Sequence, residues 1–311
     1  MILLAPHGTP CLECRAMDEQ TGVQTPIEPS AYTEEYFRTS VEGHAEFAAT
    51  GGREVSPRLR RALDLAAPRP GQRVLDIACG RGEVVLQAAL RGAEAVGIDY
   101  AGAAMGVARE SLAGAPTAAL ARMDATRLAF RGGAFDVALM LDFAEHVDQP
   151  DLERAFAEAA RALRPGGRLI IHTSPNRLFE DVVYRHWVRN VHRALLAVAR
   201  LLRQKNRLLN ELTLPVAATP PHDEYERKLH INPQSAGTLR GALRGAGFRV
   251  RSIDFWEPPS ARFFAPELRW HNAALAALDV VRFLRPFSRA APLNRLFSNH
   301  IWVVAEREGS E

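Results

Sequence analysis

The chain has 311 residues, 47% of them hydrophobic and 24% charged. That is the composition of a folded globular protein, long enough for one large domain with insertions or for two domains. The net charge of +3 is carried almost wholly by arginine, with Lys205 and Lys228 the two lysines. This bias, with heavy alanine use, fits a GC-rich genome better than nucleic-acid binding.

The first 29 residues are rich in Pro, Thr, Gln and Glu without apolar periodicity and read as a flexible tail. The start "MILLAPHGTP" has no basic region and meets a proline at once, unlike a signal peptide. No apolar run approaches the roughly 18 residues of a membrane span. The cysteines Cys11, Cys14 and Cys79 are too few and odd in number for a disulfide scaffold, and a reducing cytoplasm is the expected location. "CLEC", with His7 nearby, is half of a zinc site whose second half is missing, so it reads as a free thiol pair and no metal is expected.

Residues 30–69 read as a helical cap. "SAYTEEYFRTSVEGHAEFAAT" offers Tyr32, Tyr36, Phe37 and Phe47 to short amphipathic helices. "SPRLRRALDLA" starts a helix with Ser56 as N-cap and Pro57 at the first helical position.

From residue 70 to 311 strands and helices alternate. "RVLDIA" is a strand, "EVVLQAALRG" a helix closed by Gly92, "EAVGID" a strand, "AAMGVARESL" a helix, "AALARMD" a strand. "FDVALML" is a fourth strand, "DLERAFAEAARALRPGG" a helix with Leu152, Ala155, Phe156, Ala159 and Leu163 on one face, and "RLIIHT" a fifth strand. "PQSAGTLRGALRGAGF" is a later helix, followed by the strands "RVRSIDF" and "HIWVVAERE". This predicts an α/β fold, a doubly wound and mostly parallel sheet covered by helices on both faces. Helical insertions are expected at about 177–229 and 257–297.

The stretch "VLDIACGRGE" places Asp76, Gly80 and Gly82 where the first strand becomes a helix. In such a sheet ligands sit at the carboxyl ends of the strands beside the switch point, and a glycine turn lets them approach the backbone. Asp99 ends the second strand, where a carboxylate can grip two ribose hydroxyls, and Asp124 follows the third. Asp76 inside the turn would repel a pyrophosphate but suits a cationic amino-acid group. A ligand with a nucleoside, an ammonium and a sulfonium but no phosphate is S-adenosylmethionine.

The successive segments "VLDIACGRGE", "GIDY", "RMDA", "FDVALMLDFAEHV" and "LRPGGRLIIHTSPN" resemble the motifs of class I S-adenosylmethionine-dependent methyltransferases, over roughly residues 70–176, with "HINPQSAGTLRGALRGAGFRV" a looser match. Ala78 stands where the family commonly has glycine. The resemblance implies a Rossmann-like sheet of seven strands with the last antiparallel. It implies that Asp76, Ala78, Gly80 and Gly82 surround the methionine part, that Asp99 holds the ribose and that Tyr100 stacks near the adenine. Asp124 and Ala125 would meet the adenine edge and ring, and Leu141, Asp142 and Phe143 would pass beneath the sulfonium.

Methyl transfer needs a base only where the acceptor carries a proton at neutral pH. His146, His172 and His230 are the expected candidates, with His222 a fourth, and His146 is expected to begin the helix after the fourth strand, where packing over the cofactor is its alternative role. The place after the fourth strand reads "LDFA" and lacks both the Asn/Asp-Pro-Pro-Tyr of DNA amino-methyltransferases and the cysteine of cytosine C5 enzymes. In the first insertion Val188, Val191, Leu195, Val198, Leu202 and Leu209 keep helical spacing, with arginines elsewhere. Residues 186–212 can be a lid, a peripheral membrane-surface helix or a dimer contact. The second insertion carries Phe263, Phe264, Trp270 and Phe283. Two insertions flanking one rim favour a small organic acceptor, as in secondary-metabolite, quinone or sugar biosynthesis. The alternatives are an RNA-modifying methyltransferase and a silent subunit that binds the cofactor or S-adenosylhomocysteine.

Overall fold

The computed structural model describes residues 27–188, 190, 229–256 and 291–309. The Cys11/Cys14 tail, His222, the basic stretch beyond Val188 and the aromatics of the second insertion lie outside the described residues. Among the described residues no helix is long and apolar enough to cross a membrane.

Seven strands form one sheet: β1 (Arg73–Ile77), β2 (Glu94–Asp99), β3 (Ala118–Arg122), β4 (Phe135–Leu141), β5 (Leu163–Thr173), β6 (Phe248–Asp254) and β7 (Ile301–Arg307). Their order is β3-β2-β1-β4-β5-β7-β6. The first five pair in parallel, and β7 runs antiparallel between β5 and β6. This is the expected doubly wound sheet with its last strand reversed. The order turns back between β1 and β4, so the switch-point crevice opens at their carboxyl ends.

Side chains alternate across the sheet and feed two cores. Leu75, Ile77, Ala138 and Met140 join Leu152, Phe156 and Ala159 of α5 (Gln149–Ala162) and Leu239 and Leu243 of α6 (Ala236–Gly245). Val74, Leu139 and Leu141 join Leu59 and Leu63 of α2 (Pro57–Ala66), Val84 and Val85 of α3 (Glu83–Leu90), and Trp302. Ser56 caps α2 by accepting from the Leu59 amide, with Pro57 at the first position. At the other end of α2, the Arg168 guanidinium donates to the Leu65 and Ala66 carbonyls at 3.1 and 2.7 Å. These bonds fix α2 to β5. The second half of the expected cap segment therefore belongs to the sheet's own helical layer.

Two other boundaries differ from expectation. β5 begins at Leu163, five residues before "RLIIHT", and takes up the glycine turn through a register shift opposite Phe135 and Val137. Helix α5 begins at Gln149 with Asp148 as its N-cap, so His146 sits in the preceding turn and does not open the helix. The cap proper holds Pro29–Ala31, Tyr36–Ser40 and α1 (His44–Thr50). Its Tyr32, Phe37 and Phe47 form a third core with Ala101, Ala104 and Val107 at the start of α4 (Gly102–Ser111) and with Leu229.

Candidate active site

A cavity of about 280 Å³ opens at the carboxyl ends of β1, β2 and β4, roofed by the cap. Its floor is the turn after β1. Ala78, Gly80 and Gly82 all have positive φ there, of 61°, 50° and 77°. Gly82 is the N-cap of α3, and a Cβ on it would meet the Ala108 Cβ at 3.1 Å. Ala78 bears a left-handed backbone that favours glycine, at a cost of order 1 kcal/mol. Gly97 in β2 serves close approach: a Cβ would lie 2.7 Å from Val85 and 2.9 Å from the Cys79 sulfur.

Asp76, Ala78, Gly80, Asp99, Tyr100, Asp124, Ala125, Leu141, Asp142 and Phe143 all line the cavity. Gly82, expected among them, does not; its place is behind the turn, against α4. Asp76 is 3% exposed. Burial first, then the nearby Asp99 and Glu83 carboxylates, push its carboxyl well above the usual range. Asp99 braces the turn: its Oδ2 accepts from the Gly80 amide at 3.0 Å and its Oδ1 from the Ala101 amide at 2.9 Å. Burial outweighs those bonds and raises its pKa as well. Asp124 is exposed, and its Oδ1 accepts from the Thr126 amide and hydroxyl, both at 2.8 Å.

Of the three expected histidines the fold brings His146 and His230 together and sets His172 apart. His146 lines the cavity. Its Nδ1 lies 3.1 Å from the Leu229 carbonyl, which can only accept, so Nδ1 carries the proton and Nε2 the lone pair. Burial pushes its pKa down to about 4. Its ring packs on Tyr32 and on His230, with centroids 6.0 and 4.9 Å away. His230 touches His146 from outside the cavity lining. His172, expected as a candidate base, is instead 1% exposed beneath the rim, because its β5 position turns it onto the α2 face against Trp302, 4.3 Å between centroids. Burial, and then Arg58, hold it well below the usual imidazole range.

Glu145, His146 and His230 bring potential metal-ligand atoms within 4.8 Å of one another, a grouping that spacing alone did not suggest. The Glu145 oxygens accept from the Thr173 hydroxyl at 2.8 Å and the Ser174 amide at 3.2 Å. Burial lifts this carboxyl to about 7.

Several residues of the site were not expected there from the sequence. Tyr32, Tyr36, Phe37 and Val41 of the cap line the cavity, and Tyr32 lies 5.8 Å from Tyr100 between ring centroids. Arg81, between the two glycines, is 3% exposed and reaches up to the cap. Its Nη1 donates to the Phe37 and Val41 carbonyls, each at 3.2 Å, and its Nη2 to that of Glu42 at 2.7 Å. Its Nε donates to Glu83 at 2.8 Å, and the guanidinium lies 4.9 Å from the Phe47 ring centre. Arg58 pairs with Glu42 at 2.7 Å and with Asp142.

Residues 75–171 match a family model described as a methyltransferase domain. The nocamycin O-methyltransferase of Saccharothrix syringae is 34% identical over 214 residues, 67% of this chain and 70% of that protein. A demethylmenaquinone methyltransferase of Thermus thermophilus is 38% identical over 37% of the chain and 53% of its own length. A ubiquinone biosynthesis O-methyltransferase of Hahella chejuensis is 36% identical over 39% of the chain and 50% of its length. The match thus spans about half of each quinone relative. Among solved structures, a geranyl diphosphate methyltransferase in complex with S-adenosylmethionine superposes with a TM-score of 0.51 at 16% identity, covering 86% of this chain and 92% of that one. That likeness concerns the fold alone.

Proposed function

The chain belongs to the class I S-adenosylmethionine-dependent methyltransferases, and on that premise we propose that it methylates a hydroxyl oxygen of a small organic acceptor. The observation that carries the reading is the convergence of Asp76, Asp99 and Asp124 with the positive-φ turn on one cavity. The fit to the cofactor is electrostatic as well as steric. A buried carboxyl crowded by two others is disfavoured as an anion, and a ligand ammonium beside Asp76 would reverse that cost. Bound S-adenosylmethionine supplies an electrophilic methyl on a cationic sulfur.

The chain's own residues then bind, orient and exclude water. Asp76, Ala78 and Gly80 hold the methionine part, with Gly82 behind the turn, and the Asp99 oxygens accept from ribose hydroxyls. Tyr100 faces the adenine, with Asp124 and Ala125 at its edge. Leu141, Asp142 and Phe143 underlie the reacting sulfur. The cap aromatics Tyr32, Tyr36 and Phe37 close the cavity over it, which strengthens every polar contact inside. His146 stays neutral at physiological pH and presents Nε2 as an acceptor that orients the acceptor hydroxyl. Hydroxyl acceptors are supported by the two O-methyltransferase relatives, and small ones by the enclosed rim.

Titration calorimetry with S-adenosylmethionine, S-adenosylhomocysteine and NAD tests the cofactor reading. Binding of the first two but not NAD is expected, and no heat with either at millimolar concentration overturns it. Incubation with methyl-labelled S-adenosylmethionine and a metabolite extract then tests the acceptor; label on nucleic acid and not on a small molecule would overturn that part.

A further inference from the structure

The ammonium, ribose and adenine of the cofactor have partners in the reading above, but its one anion, the α-carboxylate, has none. In a cavity lined by Asp76, Asp99, Asp124 and Asp142 that carboxylate needs a cation beside it. Among the described residues the lining contains two, Arg58 and Arg81. Every donor of Arg81 is already engaged. Its Nη1 donates to the Phe37 and Val41 carbonyls, its Nη2 to the Glu42 carbonyl and the Glu83 carboxylate, and its Nε to Glu83 again.

Arg58 is different. Its Nε donates to Glu42 at 2.7 Å and its Nη1 meets Asp142, which leaves both Nη2 donors unused. Nη2 makes no hydrogen bond among the described residues, and it is not sealed in by its neighbours either. Since Arg58 is 4% exposed and lines the cavity, the space that Nη2 meets is the cavity itself. The fold also sets this guanidinium at the methionine end. Arg58 is the second residue of α2, and the start of α2 lies against the turn after β1: a Cβ on Gly43 would meet the Ser56 Cβ at 3.1 Å and Nη2 of Arg81 at 3.5 Å. Its partner Asp142 follows β4, whose Leu139 and Met140 pair with Asp76 and Ile77 just before that turn. The free amides at the start of α2 add a positive field of the same sense.

We propose that Arg58 binds the α-carboxylate of the cofactor through Nη2 and so makes an intact amino-acid end a requirement for tight binding. This rests on the methyltransferase reading of the same site. Glu42 and Asp142 are positioning residues: they occupy Nε and Nη1 and leave Nη2 turned toward the cavity. Burial raises the Glu42 carboxyl, but Arg58, then His172 and His300, outweigh it and hold it below the usual range, so Glu42 is ionised. Glu42, Arg58 and Asp142 therefore sum to one negative charge. Such a corner repels a free anion. It accepts a zwitterion, whose ammonium meets Asp76 while its carboxylate meets the one guanidinium with donors left.

The test is calorimetry on the full chain with two ligands, S-adenosylhomocysteine and its decarboxylated analogue, which keeps the nucleoside, the thioether and the ammonium. The wild type should bind S-adenosylhomocysteine roughly ten- to a hundredfold more tightly than the analogue. Arg58→Gln should shrink that preference to about threefold or less, by weakening S-adenosylhomocysteine while leaving the analogue nearly unchanged. If Arg58→Gln does not fold, Arg58→Lys takes its place; it keeps a cation for Glu42 and Asp142 but lacks the third nitrogen, and should cut the preference severalfold. Equal affinity of the wild type for the two ligands overturns the proposal. So does a wild-type preference surviving in the folded variant, or a loss by the same factor for both ligands, which would make Arg58 merely structural. Failure of S-adenosylhomocysteine to bind the wild type at all would instead overturn the cofactor reading.

Discussion

Replacing Arg81 with Met should release the cap while leaving the sheet folded. The Arg81 guanidinium makes three bonds to cap carbonyls and one ion pair with Glu83, and both side chains are at most 4% exposed. Methionine keeps much of the apolar stem but leaves the carbonyls of Phe37, Val41 and Glu42 without this donor and the Glu83 carboxylate without its partner. Truncating one side of a buried charged pair costs about 3–5 kcal/mol. Burial lowers the Arg81 pKa and raises that of Glu83, so desolvation opposes the pair and the lower end of that range is the better guide. At about 1.4 kcal/mol per factor of ten, the opening equilibrium of the cap should rise roughly a hundredfold or more. Hydrogen exchange read by mass spectrometry checks this. Residues 29–50 should lose protection while β1, β4 and β5 keep theirs, and affinity for S-adenosylhomocysteine should fall with the lost roof. Unchanged protection in the cap, or equal loss across cap and sheet, would refute the view that Arg81 joins two separable layers.

Asp99→Ala removes the carboxylate proposed to hold the ribose and the brace on the Gly80 amide, so calorimetry should show both cofactor and product binding roughly ten- to a hundredfold weaker. Asp76→Asn should weaken both as well, since their ammonium group is shared, and unchanged affinity would remove Asp76 from the site. Glu145 has its folded pKa raised from 4.5 to about 7. Its contribution to stability is full below about 4.5 and is lost as pH rises through about 7, a loss of order 3 kcal/mol by pH 8. Denaturation of Glu145→Gln across that range should therefore show a flatter pH profile than the wild type. His146→Gln should lower kcat by about tenfold without changing the shape of the pH–rate profile above pH 6, because the imidazole with a pKa of about 4 is already neutral there; loss of a limb near neutrality would instead make it the titrating base.

The sheet and the cofactor turn were legible because their signals are local. Val74 and Leu75 run into Asp76 and Ile77, and the positive-φ turn follows within six residues of Asp76, so the residues that shape the floor also announce it. Asp99 and Asp124 are strand-end residues whose place at the cavity follows from the alternation of strands and helices. His172 shows the limit of the same logic. Its position at the end of β5 was readable, but its face was not, because a one-residue difference in register turns a strand side chain from rim to core. The pairing of His172 with Trp302 across β5 and β7 sets that face, and the segment returning to β7 is far away in sequence.

Arg81 and Arg58 illustrate a different kind of illegibility. Both sit in stretches where arginine is common, and an isolated arginine normally reads as a solvated surface charge. What distinguishes these two is the partners that the fold brings to them. For Arg81 these are the main-chain carbonyls, which carry no sequence signature at all; for Arg58 they are Glu42 of the cap and Asp142 after β4. The consequence is functional. The floor of the cavity is built by residues adjacent in sequence, whereas its roof and its flank are held by buried cations that couple the cap to the turn and to β4. Substitutions in the floor should therefore act on cofactor affinity directly. Substitutions of Arg81 should act through how long the cap stays closed, and so on the rate at which cofactor and product exchange.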